Sequence, residues 1–204
     1  IQETWLRGAR IVFEEKNGSF HQEFELDPIP PFGIVKMPLL LKLDEPRKKD
    51  LDFRIKLMRE GVLDAADLSL EKKKLEEPHR ITFHSKIDRS VQYFSVRYPK
   101  NYDPEKSYGV IFSLHGAGVE ASHLASQYSS KDWAFVITPT NRRPYGFDWQ
   151  DWGRLDFLEV YNLAMKRFPI NTDRVYLSGG SMGGQGTWHI GLHHPSLFAA
   201  LAPQ

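Results

Sequence analysis

The chain has 204 residues, 41% of them hydrophobic, with 27 Lys+Arg against 26 Asp+Glu and no cysteine. That length predicts one domain, or one domain and part of a second, and the hydrophobic content suits a globular core. A net charge of +1 offers no global field for nucleic acid, and zero cysteines exclude disulfides, zinc–cysteine sites and a thiol nucleophile.

Upstream of Glu77-Pro78 the hydrophobic period is mostly two. Residues 10–15 and 19–26 flank Lys16-Asn17-Gly18, and Asn-Gly is a strong hairpin turn signal. Phe20, Phe24 and Leu26 alternate with His21, Glu23 and Glu25. Val35, Met37, Leu39, Leu41 and Leu43 predict a third strand, and Leu51, Phe53, Ile55 and Leu57 a fourth. Leu51, Ile55 and Met58 would also suit a helix. Four antiparallel strands predict a β-rich, sandwich-like accessory region over 1–62. The charged stretch 63–79 is expected as a helical linker, with the helix over about 63–77.

From Pro78 onward strands and helices alternate, which predicts a mostly parallel sheet wrapped by helices, the second unit covering 80–204. Ile81–His84 and Val91–Tyr98 form an expected antiparallel pair. Tyr108–Leu114 reads as a buried strand, Ala121–Tyr128 as a short helix and Trp133–Thr138 as the next strand. Phe157, Leu158, Tyr161, Ala164, Met165 and Phe168 recur at three- and four-residue steps, predicting a helix over 154–168 that Pro169 stops. Arg174–Ser178 (strand), Met182–His194 (helix) and Phe198–Pro203 (strand) complete the chain. No stretch approaches about 18 consecutive apolar residues, the length of a membrane span.

Gly179-Gly180-Ser181-Met182-Gly183 is a G-x-S-x-G run set between the apolar strand 174–178 and a helix. A tight strand-to-helix turn lifts such a serine's hydroxyl to the top edge of the sheet, where a base can take its proton. Ser181 is therefore the expected nucleophile. Stabilising the resulting oxyanion takes two backbone N–H groups. Met182, next after the serine, supplies one; the loop Leu114-His115-Gly116-Ala117-Gly118 supplies the other, from Ala117 or else from Gly116.

The run Arg174–Gly184, with Gly186-Thr187-Trp188 and Phe198–Pro203, resembles α/β-hydrolases of the esterase type. Feruloyl and acetylxylan esterases, polyhydroxybutyrate-depolymerase-like enzymes and prolyl oligopeptidase catalytic domains share it. The resemblance implies an α/β fold: an α/β-hydrolase-type, mostly parallel sheet, incomplete at the C-terminus, preceded by the small all-β region. It also implies a serine carboxylesterase acting through an acyl-enzyme on Ser181, on a small ester substrate that includes carbohydrate-linked acyl or feruloyl groups. A prolyl-oligopeptidase-like peptidase and a non-catalytic binding module are the alternatives.

Those families place the triad's acid and histidine after later strands. The chain ends at Gln204, soon after the serine, so both are expected from further chain or a companion segment. None of His21, His79, His84, His115, His123, His189, His193 and His194 is expected to serve as the base. The loop Arg142–Trp152 is rich in aromatic rings, and Trp149 and Trp152 are candidate substrate contacts, with packing of the loop as the competing role. The sequence has no motif for a metal, nucleotide or other cofactor, and no partner of nucleic acid or membrane is expected. The chain begins with Ile1 and shows no signal peptide; among compartments, a secreted or periplasmic placement is favoured.

Overall fold

A computed structural model of the chain describes residues 3–18, 20–35 and 50–204. It divides into two compact units, Ile1–Lys73 and Lys74–Gln204.

In the first unit β1 (Arg10–Glu15) and β2 (His21–Glu25) form the hairpin that the Asn-Gly turn predicts, pairing Arg10 with Glu25 and Glu14 with His21. β3 (Leu51–Met58) pairs antiparallel with β1, so the residues that would also suit a helix lie in a strand. Burial on one face explains this: Phe53 is fully buried against Phe13 and Phe20, with Leu51, Phe24, Ile55 and Leu68 around them. The strand expected over 35–43 falls on 36–49, outside the described residues.

The helical linker is overturned. Val62–Leu70 is a fourth strand, β4, antiparallel to β3 and paired from Leu51↔Leu70 to Met58↔Val62. Its Ala and Leu content favours helix locally, but the open edge of β3 supplies hydrogen bonds along its whole length, and tertiary pairing overrides a weak propensity. Asp67 is then held by Arg54 at 2.9 Å and Lys16 at 2.8 Å. The sheet runs β2-β1-β3-β4. Among the described residues it stands as one sheet, where a sandwich was expected.

The second unit opens with the antiparallel pair β5 (His79–His84) and β6 (Val91–Arg97). β7 (Tyr108–Leu114) follows, then α1 (Ala121–Gln127), β8 (Ala134–Thr138), α2 (Asp151–Arg167), β9 (Ile170–Gly179), α3 (Met182–His193) and β10 (Ala200–Pro203). The six-stranded sheet runs β10-β9-β7-β8-β6-β5. β10, β9, β7 and β8 are mutually parallel, and β6 joins β8 antiparallel. This is a mixed α/β fold of a mostly parallel sheet with helices, and the first unit's small antiparallel sheet is separate from it.

β7 and β8 read as near-continuous apolar runs because both faces of a parallel sheet are covered; Val110, Phe112, Phe135 and Ile137 are fully buried. α2 begins three residues before its expected start and turns Phe157, Val160 and Ala164 inward, with Phe157 edge-on to Phe112 at 5.4 Å. It ends at Arg167: Phe168 is extended (φ −114°, ψ 150°), as a residue before proline prefers.

Candidate active site

β9 runs into α3 through Gly180 and Ser181. Ser181 is exposed and has φ 55° and ψ −121°, a conformation that glycine tolerates and other residues adopt under strain. The bend is pinned at both ends. The Ser181 N–H donates to the Gln204 carbonyl at 2.9 Å, and the Gln204 N–H donates to that of Gly179 at 2.8 Å. The Ser181 carbonyl accepts from Gly184 and Gln185, which opens the helix.

The small residues have specific duties. A Cβ at Gly179 would overlap the backbone of Gly183, and one at Gly183 would overlap the Leu114 carbonyl. Gly180, by contrast, has open space around it. The sharpness of the bend thus rests on Gly179 and Gly183.

The loop after β7 lies against this bend. A Cβ on Gly116 would stand 3.4 Å from the Gly180 carbonyl oxygen and 3.6 Å from the Ser181 Cβ. Among the described residues, the N–H groups of Met182, Ala117 and Gly116 donate to no protein acceptor. Ser181 is thus exposed at a bend whose neighbouring main-chain donors have no acceptor in the described chain. A cavity of about 350 Å³ adjoins the bend, with Gly116, Gly180, Leu124 and Tyr128 in its lining.

His115 is buried beneath the loop. Its Nδ1 lies 2.9 Å from the Gly116 carbonyl and its Nε2 2.9 Å from that of Thr140. A neutral imidazole carries one N–H and so donates to one of these two carbonyls, and the ring packs on Trp149 at 4.9 Å. The rings of His189 and His193 lie 4.4 Å apart, tilted by 46°, and His193 Nδ1 contacts the His189 carbonyl. Burial, then the neighbouring His193, makes His189 harder to protonate. No described imidazole or carboxylate hydrogen-bonds the Ser181 hydroxyl, and no described cluster of three or more His, Asp or Glu is arranged to hold a metal.

The two tryptophans part company. Trp149 is fully buried, its indole N–H donating to the His115 carbonyl at 3.1 Å, and it fills the space that the missing side chain of Gly186 leaves. It cannot touch a substrate, which corrects its candidacy; the ring is too large to leave solvated where a helix can lie over it. Trp152 is 41% exposed, with the Arg142 guanidinium 5.8 Å from its ring centre.

A buried charge cluster escaped the sequence reading. Arg142 Nε lies 3.2 Å from Asp156 Oδ1, and its other nitrogens approach Glu159 at 3.3 Å and Asp88 at 3.3 Å. The Arg142–Asp156 contact is an ion pair in which neither of those two atoms completes a hydrogen bond. Burial pushes the Asp156 carboxyl up to about 6, against the pull of Arg142 and the hydrogen bonds from Thr140. The signal was present in the sequence: Asp156 sits on the inward stripe Gly153, Asp156, Phe157, Val160, Ala164, where a carboxylate needs a partner.

Residues 86–204 match the model of the Esterase family, described as "Putative esterase". The chain belongs to this family. A curated relative, an "Uncharacterized secreted protein" of Arthroderma benhamiae, is 31% identical over 131 residues, covering 55% of this chain and 14% of that protein. Among solved structures, FphF, a fluorophosphonate-binding serine hydrolase of Staphylococcus aureus, is similar over 62% of this chain and 55% of its own, at 21% identity and TM-score 0.53. A thermostable esterase matches 100% of this chain and 68% of its own, at 16% identity and TM-score 0.51. A ferulic acid esterase of Anaeromyces mucronatus, solved with ferulic acid, matches 63% and 58%, at 20% identity and TM-score 0.50. This esterase-family chain thus spans 14% of the curated relative's length and a little over half that of FphF. No described helix is long and apolar enough to cross a membrane.

Proposed function

We propose that this chain carries the nucleophile half of a serine carboxylesterase, with Ser181 Oγ as the attacking atom. The observation that carries the reading is the strained, exposed Ser181, followed by the acceptor-free N–H of Met182 and with the loop Gly116-Ala117, whose N–H groups are also acceptor-free, packed against it at Gly116. Ser181 Oγ attacks the ester carbonyl carbon while a base takes its proton, and the carbonyl oxygen gains the negative charge. Met182 N–H and Ala117 N–H receive that charge, with Gly116 the second choice for the loop donor. Collapse expels the alcohol, which takes the proton, and leaves the acyl group on Ser181; water then releases the acid by the same steps.

The base and its acid partner are proposed to lie outside the described residues, since His115 is buried with its ring nitrogens facing two main-chain carbonyls and no described histidine bonds to Ser181. The substrate class proposed is a small ester, with carbohydrate-linked acyl or feruloyl groups favoured by the similarity to the Anaeromyces mucronatus enzyme. Export is proposed from the secreted relative. A fluorophosphonate probe applied to the full-length protein tests the core of this reading. Labelling at Ser181, abolished in Ser181→Ala, is expected; a wild-type protein that resists the probe overturns it.

A further inference from the structure

We infer that Asp156 is a positioning residue that holds the proposed oxyanion loop in register through Thr140 and His115. The inference rests on the Ser181 reading above.

The connection runs through hydrogen bonds on buried groups. Asp156 is wholly buried, and its Oδ2 accepts from both the N–H and the hydroxyl of Thr140, each at 3.2 Å. Orienting that residue aims its carbonyl at His115 Nε2, 2.9 Å away. His115 is the residue from which the loop departs, and three contacts hold it there: the Thr140 carbonyl, the Trp149 ring, and the Trp149 N–H on its own carbonyl. Two residues later comes Ala117. A second tie reaches the far side, where Gly118 N–H donates to the Pro144 carbonyl at 2.9 Å. The segment that follows β8 therefore grips the loop at both ends.

That segment is itself under strain. Asn141, Arg142, Phe147, Asp148 and Trp149 all have positive φ, between 46° and 65°. Such conformations are disfavoured for residues that carry a side chain, and persist where the surroundings over-determine them. The Arg142–Asp156 pair and the Asn141 side chain, which bonds Gly146 and Trp149, supply that restraint. A buried ion pair is a poor source of net stability compared with apolar residues of the same volume. Its position under the proposed oxyanion loop fits a role in geometry, because an oxyanion donor acts only when it is placed close to the developing charge.

The test uses the full-length protein, an aryl ester substrate, and fluorophosphonate titration to count competent sites. For Asp156→Asn, kcat per labelled Ser181 is expected to fall about tenfold or more, with KM changed by less than about threefold. Trp149→Phe, which keeps a ring but loses the donor to the His115 carbonyl, is expected to move kcat the same way and serves if Asp156→Asn does not fold. A tetrahedral boronic acid inhibitor should lose affinity in parallel. A merely structural role would reduce the number of labelled sites and leave kcat per site alone, so kcat per site within about twofold of wild type in the folded variants overturns the inference. Failure of the wild type to label is a different result: it removes the Ser181 reading, and this one with it.

Discussion

Gly183 packs so tightly against Leu114 that a Cβ on the glycine would overlap the Leu114 carbonyl oxygen. This contact joins the first turn of α3 to the end of β7, and so brings the serine bend against the loop that follows β7. Backbone atoms on both sides leave nothing flexible to yield. Gly183→Ala is expected to cost about 3 kcal/mol or more, above the usual penalty for overpacking a core. Gly180→Ala, in open space, should cost far less. Urea unfolding of the two variants checks the contrast, and equal losses would show that the bend tolerates bulk.

Ser181 carries the strain of its φ of 55° and ψ of −121°. Glycine adopts that conformation freely, though it loses more entropy on folding. Ser181→Gly is expected to raise stability by about 1 kcal/mol, a Tm gain of roughly 2–4 °C, while abolishing fluorophosphonate labelling. Calorimetry beside a labelling gel reads both. A lower Tm would mean that the serine is relaxed where it sits.

The Trp149 indole fills the space over Gly186 and caps His115. Trp149→Ala should remove about 3–5 kcal/mol, the range for emptying a large aromatic site. Because the ring is buried, Trp149→Phe should leave substrate range unchanged when several acyl groups are compared. A change in acyl preference would return Trp149 to the substrate site.

Asp156 makes stability depend on pH in a definite direction. Burial pushes its folded carboxyl up to about 6 from an ordinary value of 3.8. Between those values the folded chain keeps a proton that the unfolded chain has released, so the contribution of this group is full below pH 3.8 and is lost as pH rises through about 6. The span corresponds to about 3 kcal/mol. Relative to Asp156→Asn, the wild type should therefore weaken by about that amount from pH 4 to pH 7 in urea titrations. Parallel curves for the two proteins would place the carboxyl's folded affinity at its ordinary value.

In the first unit, Phe53 has no exposed surface and touches Phe13 and Phe20 edge-on. Phe53→Ala should cost about 3–5 kcal/mol, with faster amide exchange across β1, β3 and β4. Exchange rates unchanged there would show that another residue carries this core.

Much of the second unit was legible because its signals are local. The apolar runs of β7 and β8, the three-and-four spacing of α2, Pro169 after it, and the Gly-flanked Ser181 each depend on residues close in sequence. The hairpin at Asn17-Gly18 is of the same kind. β4 was misread because its Ala and Leu content by itself favours helix, although its partner β3 lies just across the short turn Arg59-Glu60-Gly61. Trp149 was left between a substrate contact and packing because an aromatic in a glycine-containing loop can face solvent or core, and only the space over Gly186 decides for packing.

The amino-acid order alone determined where the serine bend forms, since glycine at 179 and 183 and an apolar strand before them are conditions of the chain itself. Tertiary structure decided what surrounds that bend. Thr140 reaches His115, Asp156 reaches Thr140 and Trp149 reaches Gly186 only when β7, β8 and their following loops lie side by side. Hydrogen bonds and close packing act over a few ångströms in space, whatever the separation along the chain, and no sequence interval encodes that distance.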